Sequence, residues 1–314
     1  MNAISSSSSM SAVSSHSSPR RRALVLGGGG STGNAWLIGV LAGLTASGVD
    51  PAAADRVIGT SAGATAAAQL AGATPVDLLD AILGAPARSA HAEAAARPAQ
   101  SSGAANRRVV DHLDRMHRLI AESSDAHDLR RRLGASALER LAADNGSWQD
   151  RWRATVASRL PQLDWPTNDI LLTAVDATTG DPVVLDRNSG ADLADAVAAS
   201  TSSGLPYRVG DRWLIDGGFR RNENADLASG FERVLVLAPF SGKSFTPLEW
   251  GLQYDAQLAE LRASGSEVET LFPGEAFDHL FGANAMDLSL RPDAAEAGFE
   301  RGRRFAEENG SFWV

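Results

Sequence analysis

The sequence predicts an α/β fold, a three-layer α/β/α domain around a mostly parallel sheet, with a helical insertion. Three observations predict it. Apolar runs of strand length recur at residues 23–26, 57–58, 169–175 and 232–238. Between them lie segments with apolar residues at helical spacing, such as Leu37, Val40, Leu41 and Leu44. The first two runs each pass into a helix through a turn of small residues, Gly27–Gly33 and Gly59–Gly63. Strands that alternate with helices need crossover connections, and these cover both faces of a mostly parallel sheet.

The composition sets the class. The chain has 314 residues, 44% of them hydrophobic, with a net charge of -9 and no cysteine. That is enough apolar surface for a sizeable core, in one large domain or two small ones. The acidic balance argues against nucleic acid as a partner. With no cysteine there are no disulfides, thiolate metal sites or thiol nucleophiles. No window approaches the roughly 18 consecutive apolar residues of a membrane span.

In chain order, residues 1–22 form a tail. Ten of the first 18 residues are serine, a composition too polar to offset the entropy of ordering. Arg20, Arg21 and Arg22 follow with no apolar run before them, which is not the order of a secretory leader, so a cytoplasmic protein is expected. The domain proper is expected over 23–314. Ala23–Leu26 is the first strand, the glycine run is a loop, and a helix opens at Asn34. Val57-Ile58 is the second strand, and Ala64–Ala71 the helix after it.

Residues 84–166 change character and form the helical insertion. The stretch 85–105 is rich in Ala, Ser and Pro. Val109, Leu113, Met116 and Ile120 share one helical face, and Trp148, Trp152 and Val156 share another. Ser147 and Asp150 have the spacing of a capping box. Two readings stand for this region, an insertion packed on the core or an apolar rim over the site.

The α/β pattern then resumes. Asp169–Val175 is a strand, turned at Thr178–Asp181 into a hairpin partner at Pro182–Leu185. Asp192–Ser200 is a helix, Trp213–Ile215 a short strand, and Glu232–Ala238 the most clearly buried strand. Leu248–Ala263 and Asp293–Glu308 are amphipathic helices flanking a weaker strand at Glu267–Leu271. Asp77, Asp80, Glu296 and Glu300 fall on solvated helix faces.

Three motifs carry chemistry. Gly59-Thr60-Ser61-Ala62-Gly63 is a G-x-S-x-G elbow, which sets a serine on a tight strand-to-helix turn. Gly27–Gly30 is a run whose successive amides can converge on a negative oxygen. Gly28, Gly30 and Gly33 also spell G-x-G-x-x-G, which raises dinucleotide binding as a rival. That rival needs an acidic residue at the end of the next strand, and Gly59-Thr60-Ser61 stands there instead. The third motif, Asp216-Gly217-Gly218, offers a base for the serine at a strand end. Asp176 is the competing aspartate, read as holding the turn that follows it. His16, His91, His112, His117 and His127 form no metal-ligating spacing. Ser61, Asp216 and His279 follow the chain order of an α/β-hydrolase triad. Only one strand precedes the elbow strand, however, and His279 sits among phenylalanines.

With those motifs the chain resembles the patatin-like phospholipases. The glycine loop Gly28-Gly29-Gly30-Ser31-Thr32-Gly33, the elbow Gly59–Gly63 and the triplet Asp216-Gly217-Gly218 match that family in order and spacing. Similarity extends to Leu172–Asp176, Ala196–Pro206, Asn222 and Gly298–Arg304, so it covers about residues 22–83 and 167–310. The resemblance implies a Ser-Asp dyad acyl hydrolase. Ser61 would be the nucleophile, Asp216 the base, and the amides of Gly28, Gly29 and Gly30 the oxyanion hole. It implies a lipid or fatty-acyl ester substrate, transient contact with a membrane surface, and no metal or organic cofactor. Thr32 departs from the family's Arg or Lys, and Asn224 from its proline. The reading from a different class is a non-hydrolytic nucleotide- or anion-binding protein using the same glycine loop.

Overall fold

The computed structural model describes residues 21–84, 115–244 and 246–313. Its centre is an eight-stranded sheet: β1 (Arg22–Leu26), β2 (Arg56–Gly59), β3 (Asp169–Asp176), β4 (Pro182–Leu185), β5 (Tyr207–Val209), β6 (Arg212–Asp216), β7 (Arg233–Leu237) and β8 (Glu267–Leu271). Strands β3, β2, β1, β7 and β8 run parallel to their neighbours in that order. β4 and β6 pair with β3 antiparallel, and β5 with β6 antiparallel.

Strand periodicity produces the layers. Leu24 and Leu26 of β1, with Leu235 and Leu237 of β7, enter one core. The alternate residues Ala23, Val25, Val234 and Val236 enter another on the opposite face. Side chains that alternate at period two, with both sets apolar, need a cover on each side. The first core is covered by α1 (Gly30–Ala46), α2 (Ala62–Leu70), α3 (Pro75–Leu83) and the later α6 (Leu193–Ser200) and α8 (Arg291–Asn309). The second is covered by the turn Ala225–Ala228 and by α7 (Tyr254–Ala263). A smaller third cluster joins α4 (Ala126–Leu141) to Val175 of β3 and Ile215 of β6. α5 (Trp148–Ala157) completes the described part of the insertion, together with helical residues 115–122.

α1 is buried over thirteen of its seventeen residues, because it lies between the sheet, α3 and α8. Its contact with α8 is unusually close. A Cβ on Gly39 would lie 2.0 Å from the Ala295 carbonyl oxygen, and one on Gly43 2.2 Å from that of Phe299. From the other side, Cβ atoms on Gly298 and Gly302 would each lie 2.2 Å from a carbonyl oxygen of α1, those of Trp36 and Val40. Four glycines, two per helix at a four-residue spacing, let the backbones touch.

The structure departs from the sequence reading at several points. Arg22, assigned to the tail, already belongs to β1, its amide donating to Asp55 Oδ2 at 2.7 Å. The rest of the tail, up to residue 20, lies outside the described residues, as do 85–105, Val109 and Leu113. Leu248–Ala263 is not one helix. It breaks into the turn Leu248–Trp250 and α7, because Gly251 adopts φ 64°, a left-handed conformation that ends a helix. The capping box at Ser147 does not form. Ser147 is itself helical (φ -93°, ψ -2°) and turns its hydroxyl to Asn145, while Asp144 Oδ2 accepts the Trp148 amide at 3.1 Å. Ser147 thus holds the N-cap position without a side-chain cap, and Asp144, three residues earlier, supplies the acceptor.

Candidate active site

Strand pairing brings the two ends of the site together. Leu172 of β3 pairs with Gly59 of β2 and with Leu185 of β4. Ala174 and Val175 pair with β6 and likewise with β4. A residue has one neighbour on each side, so β2 and β6 both lie on the side of β3 opposite β4. They lie end to end and point towards each other, with Gly59 and Asp216 meeting across Thr173. Asp216 stands at the end of β6, a strand end as its motif suggests. Its strand is antiparallel, and that direction is what returns it to the serine.

Ser61 occupies the apex of the elbow with φ 53° and ψ -111°, an uncommon conformation for a residue with a side chain. Close packing fixes it. A Cβ on Gly63 would lie 1.8 Å from the Leu26 carbonyl oxygen, and one on Gly59 2.7 Å from Ala64 Cα. The Ser61 amide donates to Ser200 Oγ at 3.0 Å, a support that the elbow motif does not reveal. Its hydroxyl donates to Asp216 Oδ2 at 2.8 Å.

Asp216 is buried, and its other oxygen accepts the Gly218 amide at 2.8 Å. Burial pushes its carboxyl up to about 6, against the Gly218 amide and the Ser61 hydroxyl, which pull it down. Gly217 allows the chain to turn tightly here, since a Cβ would lie 2.2 Å from Thr173 Oγ1. Asn224 completes the junction of β2, β3 and β6. Its φ is 54°, which proline cannot adopt, so the departure at this position is conformational as well as chemical. Its buried Nδ2 lies 3.0 Å from Thr60 Oγ1 and 3.2 Å from both Thr173 Oγ1 and the Gly217 carbonyl oxygen.

The glycine loop runs beside Ser61 from the end of β1 into α1. Gly28 does not offer its amide to the cavity, because it donates to the Asn222 carbonyl at 3.0 Å. Among the described residues the Gly29 amide has no backbone acceptor, and Gly30 opens α1, where the first amides of a helix are unpaired. Gly30 has φ 66°, and a Cβ there would lie 2.7 Å from the Ala285 carbonyl oxygen. Gly33 donates to the Gly29 carbonyl at 3.0 Å and so closes the first turn. Thr32 is buried, its amide donating to the Ala285 carbonyl at 3.1 Å. A cation arrives from elsewhere. Arg291 of α8 donates to the Ser31 carbonyl at 2.7 Å and to Asn34 Oδ1 at 3.2 Å, and it lines the cavity.

Ser61, Asp216 and the loop line one cavity of about 1090 Å³. Its apolar wall is built from Leu78 and Ile82 of α3, Ile120, and Leu129 and Leu133 of α4. Trp148 and Trp152 line it too, stacked at 5.4 Å, with indole N–H groups donating to the Pro206 and Ala198 carbonyls. The insertion therefore both packs on the core, through Val156, Leu129 and Leu133, and walls the cavity.

The remaining sequence candidates separate from the site. Asp176 Oδ1 accepts the amides of Thr178 at 2.8 Å and Thr179 at 3.2 Å, so it holds its turn. His279 is exposed and does not line the cavity. His127 faces Asp181 at 3.4 Å on the surface, and His16, His91 and His112 lie outside the described residues. Among the described residues no group of His, Asp and Glu could hold a metal ion, and no helix is long and apolar enough to cross a membrane.

The family model for patatin-like phospholipase matches residues 24–229. Comparison with curated protein sequences returns no match. Among solved structures the chain is similar to VipD from Legionella pneumophila, at 15% identity and a TM-score of 0.43, over 93% of this chain and 68% of that one. It is also similar to ExoU of Pseudomonas aeruginosa in complex with SpcU, at 18% identity and a TM-score of 0.37, over 92% of this chain and 53% of that one. The chain thus spans about half the length of ExoU.

Proposed function

Since the chain belongs to the patatin-like phospholipase family, we propose that it is a lipid acyl hydrolase working through a Ser61–Asp216 dyad. One observation carries this reading: the 2.8 Å hydrogen bond from Ser61 Oγ to Asp216 Oδ2, at a cavity with an apolar wall. A serine hydroxyl is a weak nucleophile until a base takes its proton. Asp216 is in contact to do so, and a carboxyl pushed up to about 6 accepts a proton more readily than an exposed one.

In the reaction, Ser61 Oγ attacks the ester carbonyl carbon as its proton passes to Asp216 Oδ2. The carbonyl oxygen becomes an oxyanion, received by the amides of Gly29 and Gly30 at the positive end of α1. Gly28, whose amide is engaged with Asn222, shapes the loop. Collapse breaks the ester bond, and Asp216 returns the proton to the leaving alcohol. Water then attacks the acyl-serine, giving its proton to Asp216, and the free acid departs as Ser61 is restored. This chemistry calls for no metal or organic cofactor. The acyl chain lies along the apolar wall, and a substrate of this kind brings the protein into transient contact with a lipid surface.

The test is covalent labelling with a fluorophosphonate probe, alongside hydrolysis of p-nitrophenyl esters and phospholipid vesicles. The parent protein should label and hydrolyse, and Ser61→Ala should do neither. A parent protein that binds nucleotide and never labels would favour the non-hydrolytic reading of the glycine loop.

A further inference from the structure

Beside the glycine loop, among the residues that line the cavity, is a buried carboxyl that the dyad chemistry leaves unused. Glu223 is 2% exposed, and burial raises its carboxyl above the ordinary value against the Asn222 and Gln257 amides. Its two side-chain donors are neutral amides, and its own backbone amide is a third donor. Asn222 Nδ2 donates to Oε1 at 2.9 Å, and Gln257 Nε2 to Oε2 at 3.2 Å.

Asn222 in turn clasps Gly28 on both sides. Its carbonyl accepts the Gly28 amide at 3.0 Å, and its Nδ2 reaches the Gly28 carbonyl at 3.4 Å. The contact is close. A Cβ on Gly28 would lie 2.7 Å from Asn222 Oδ1, and one on Gly27 3.3 Å from Glu223 Cγ. At the far end, Gln257 is fully buried on α7, with its Oε1 accepting the Ala225 amide at 2.9 Å. A continuous set of hydrogen bonds therefore runs from α7 through Gln257, Glu223 and Asn222 to Gly28.

We propose that Glu223 is a positioning residue for the glycine loop. Held from α7 by Gln257, it orients Asn222 and so fixes Gly28 and the amides of Gly29 and Gly30 that follow. Amides stabilise an oxyanion only when aimed before the charge develops, so a loop held on one side alone would lose turnover rather than affinity. Burying a carboxyl is unfavourable, and an apolar side chain could fill the same space. What an apolar chain cannot do is accept two amide hydrogen bonds at once.

The inference rests on the hydrolase reading, and the two fail separately. The experiment is steady-state kinetics on a p-nitrophenyl ester for the parent, Glu223→Ala, Glu223→Gln and Gln257→Met, with fluorophosphonate labelling rates and thermal midpoints for each. Glu223→Ala should lower kcat by about tenfold or more, as expected for misaimed groups, with KM little changed and labelling slowed in parallel. Glu223→Gln keeps an oxygen for Asn222 and should recover much of that loss. Gln257→Met leaves the carboxyl in place without its anchor and should show a smaller fall of the same kind; it carries the test if Glu223→Ala does not fold. An unchanged kcat in the folded variants would overturn the inference. So would a raised KM at constant kcat, or a Glu223→Gln loss as deep as that of Glu223→Ala. A parent that neither labels nor turns over would instead overturn the hydrolase reading itself.

Discussion

The two halves of the sheet contribute to the site by different means. In the parallel half, β1 and β2 end at the same edge, each starting a helix there. That half supplies the glycine loop, the unpaired amides at the start of α1, and the elbow that presents Ser61. The antiparallel wing supplies one side chain, Asp216, delivered by β6 as it runs back along β3 to meet β2. The first contribution follows from local geometry, because any chain folded through those glycines presents the same groups. The second depends on a topology that no nearby residue specifies.

The sharpest way to break this arrangement is to remove either partner where the halves meet. Ser61→Ala and Asp216→Asn should each lower turnover by about four orders of magnitude, and the double variant should be hardly worse than either, as for groups that act as a unit. The proof is in turnover measured on folded protein. Asp216→Asn retaining more than about a tenth of the parent rate would remove the dyad assignment.

The wing can next be probed by pH. With Asp216 pushed up to about 6, turnover should rise with pH through about 6 and then level off, as the base loses its proton. The effect on stability has the opposite sense. The folded carboxyl binds its proton more tightly than the unfolded one, so its contribution is fully present below about pH 4, the ordinary range of an aspartate, and is lost as pH rises through about 6. Asp216→Asn should therefore be more stable than the parent at pH 7, by on the order of 3 kcal/mol less the weakened Gly218 contact, and the gain should vanish near pH 4. Urea titrations at the two pH values measure it. A gain that does not depend on pH would show that burial of charge is not its source.

A smaller effect is expected at the wall. Trp152→Ala should reduce hydrolysis of long-chain p-nitrophenyl esters several-fold more than that of butyryl esters, as a lost apolar contact of ~1–3 kcal/mol predicts. Equal losses on both, with a lowered thermal midpoint, would assign the stacked indoles to packing alone. The smallest effect is at His279, which is exposed and away from the cavity. His279→Ala should keep turnover within about twofold, well short of the 10²–10⁴-fold that a lost acid–base group would take away. A fall of that size in folded protein would bring back a triad.

The contrast between the halves also explains what the sequence disclosed. Seven of the eight strands, the elbow, the glycine loop and Asp216 were legible because each is written in a few adjacent residues; β5, only three residues long, was not. Ser61 could be singled out because Gly59 and Gly63 declare the turn around it. The antiparallel course of β6 was not legible, since Trp213–Ile215 reads the same in either direction. Nor was the engagement of Gly28, whose partner Asn222 lies 194 residues away. Ser200, which receives the Ser61 amide, is a serine at the end of a helix with nothing local to mark it. The left-handed Asn224 is visible in the sequence only as a missing proline, and a lone Gly251 does not by itself mark a helix end.

The crossing of α1 and α8 has a consequence for how this protein can vary. Gly39 stands nine residues beyond the start of α1, about 14 Å along the axis at 1.5 Å per residue. A single methyl group there has no room, and neither helix can yield without moving its own first turn. One of those turns is the glycine loop, and the other carries Arg291, which grips Ser31. Alanine at Gly39, Gly43, Gly298 or Gly302 would thus register as a change in rate as well as in melting temperature, although none of the four lines the cavity. Along this seam a side chain larger than hydrogen meets a facing backbone at all four positions, so rate and stability are tied together at a place the substrate never reaches.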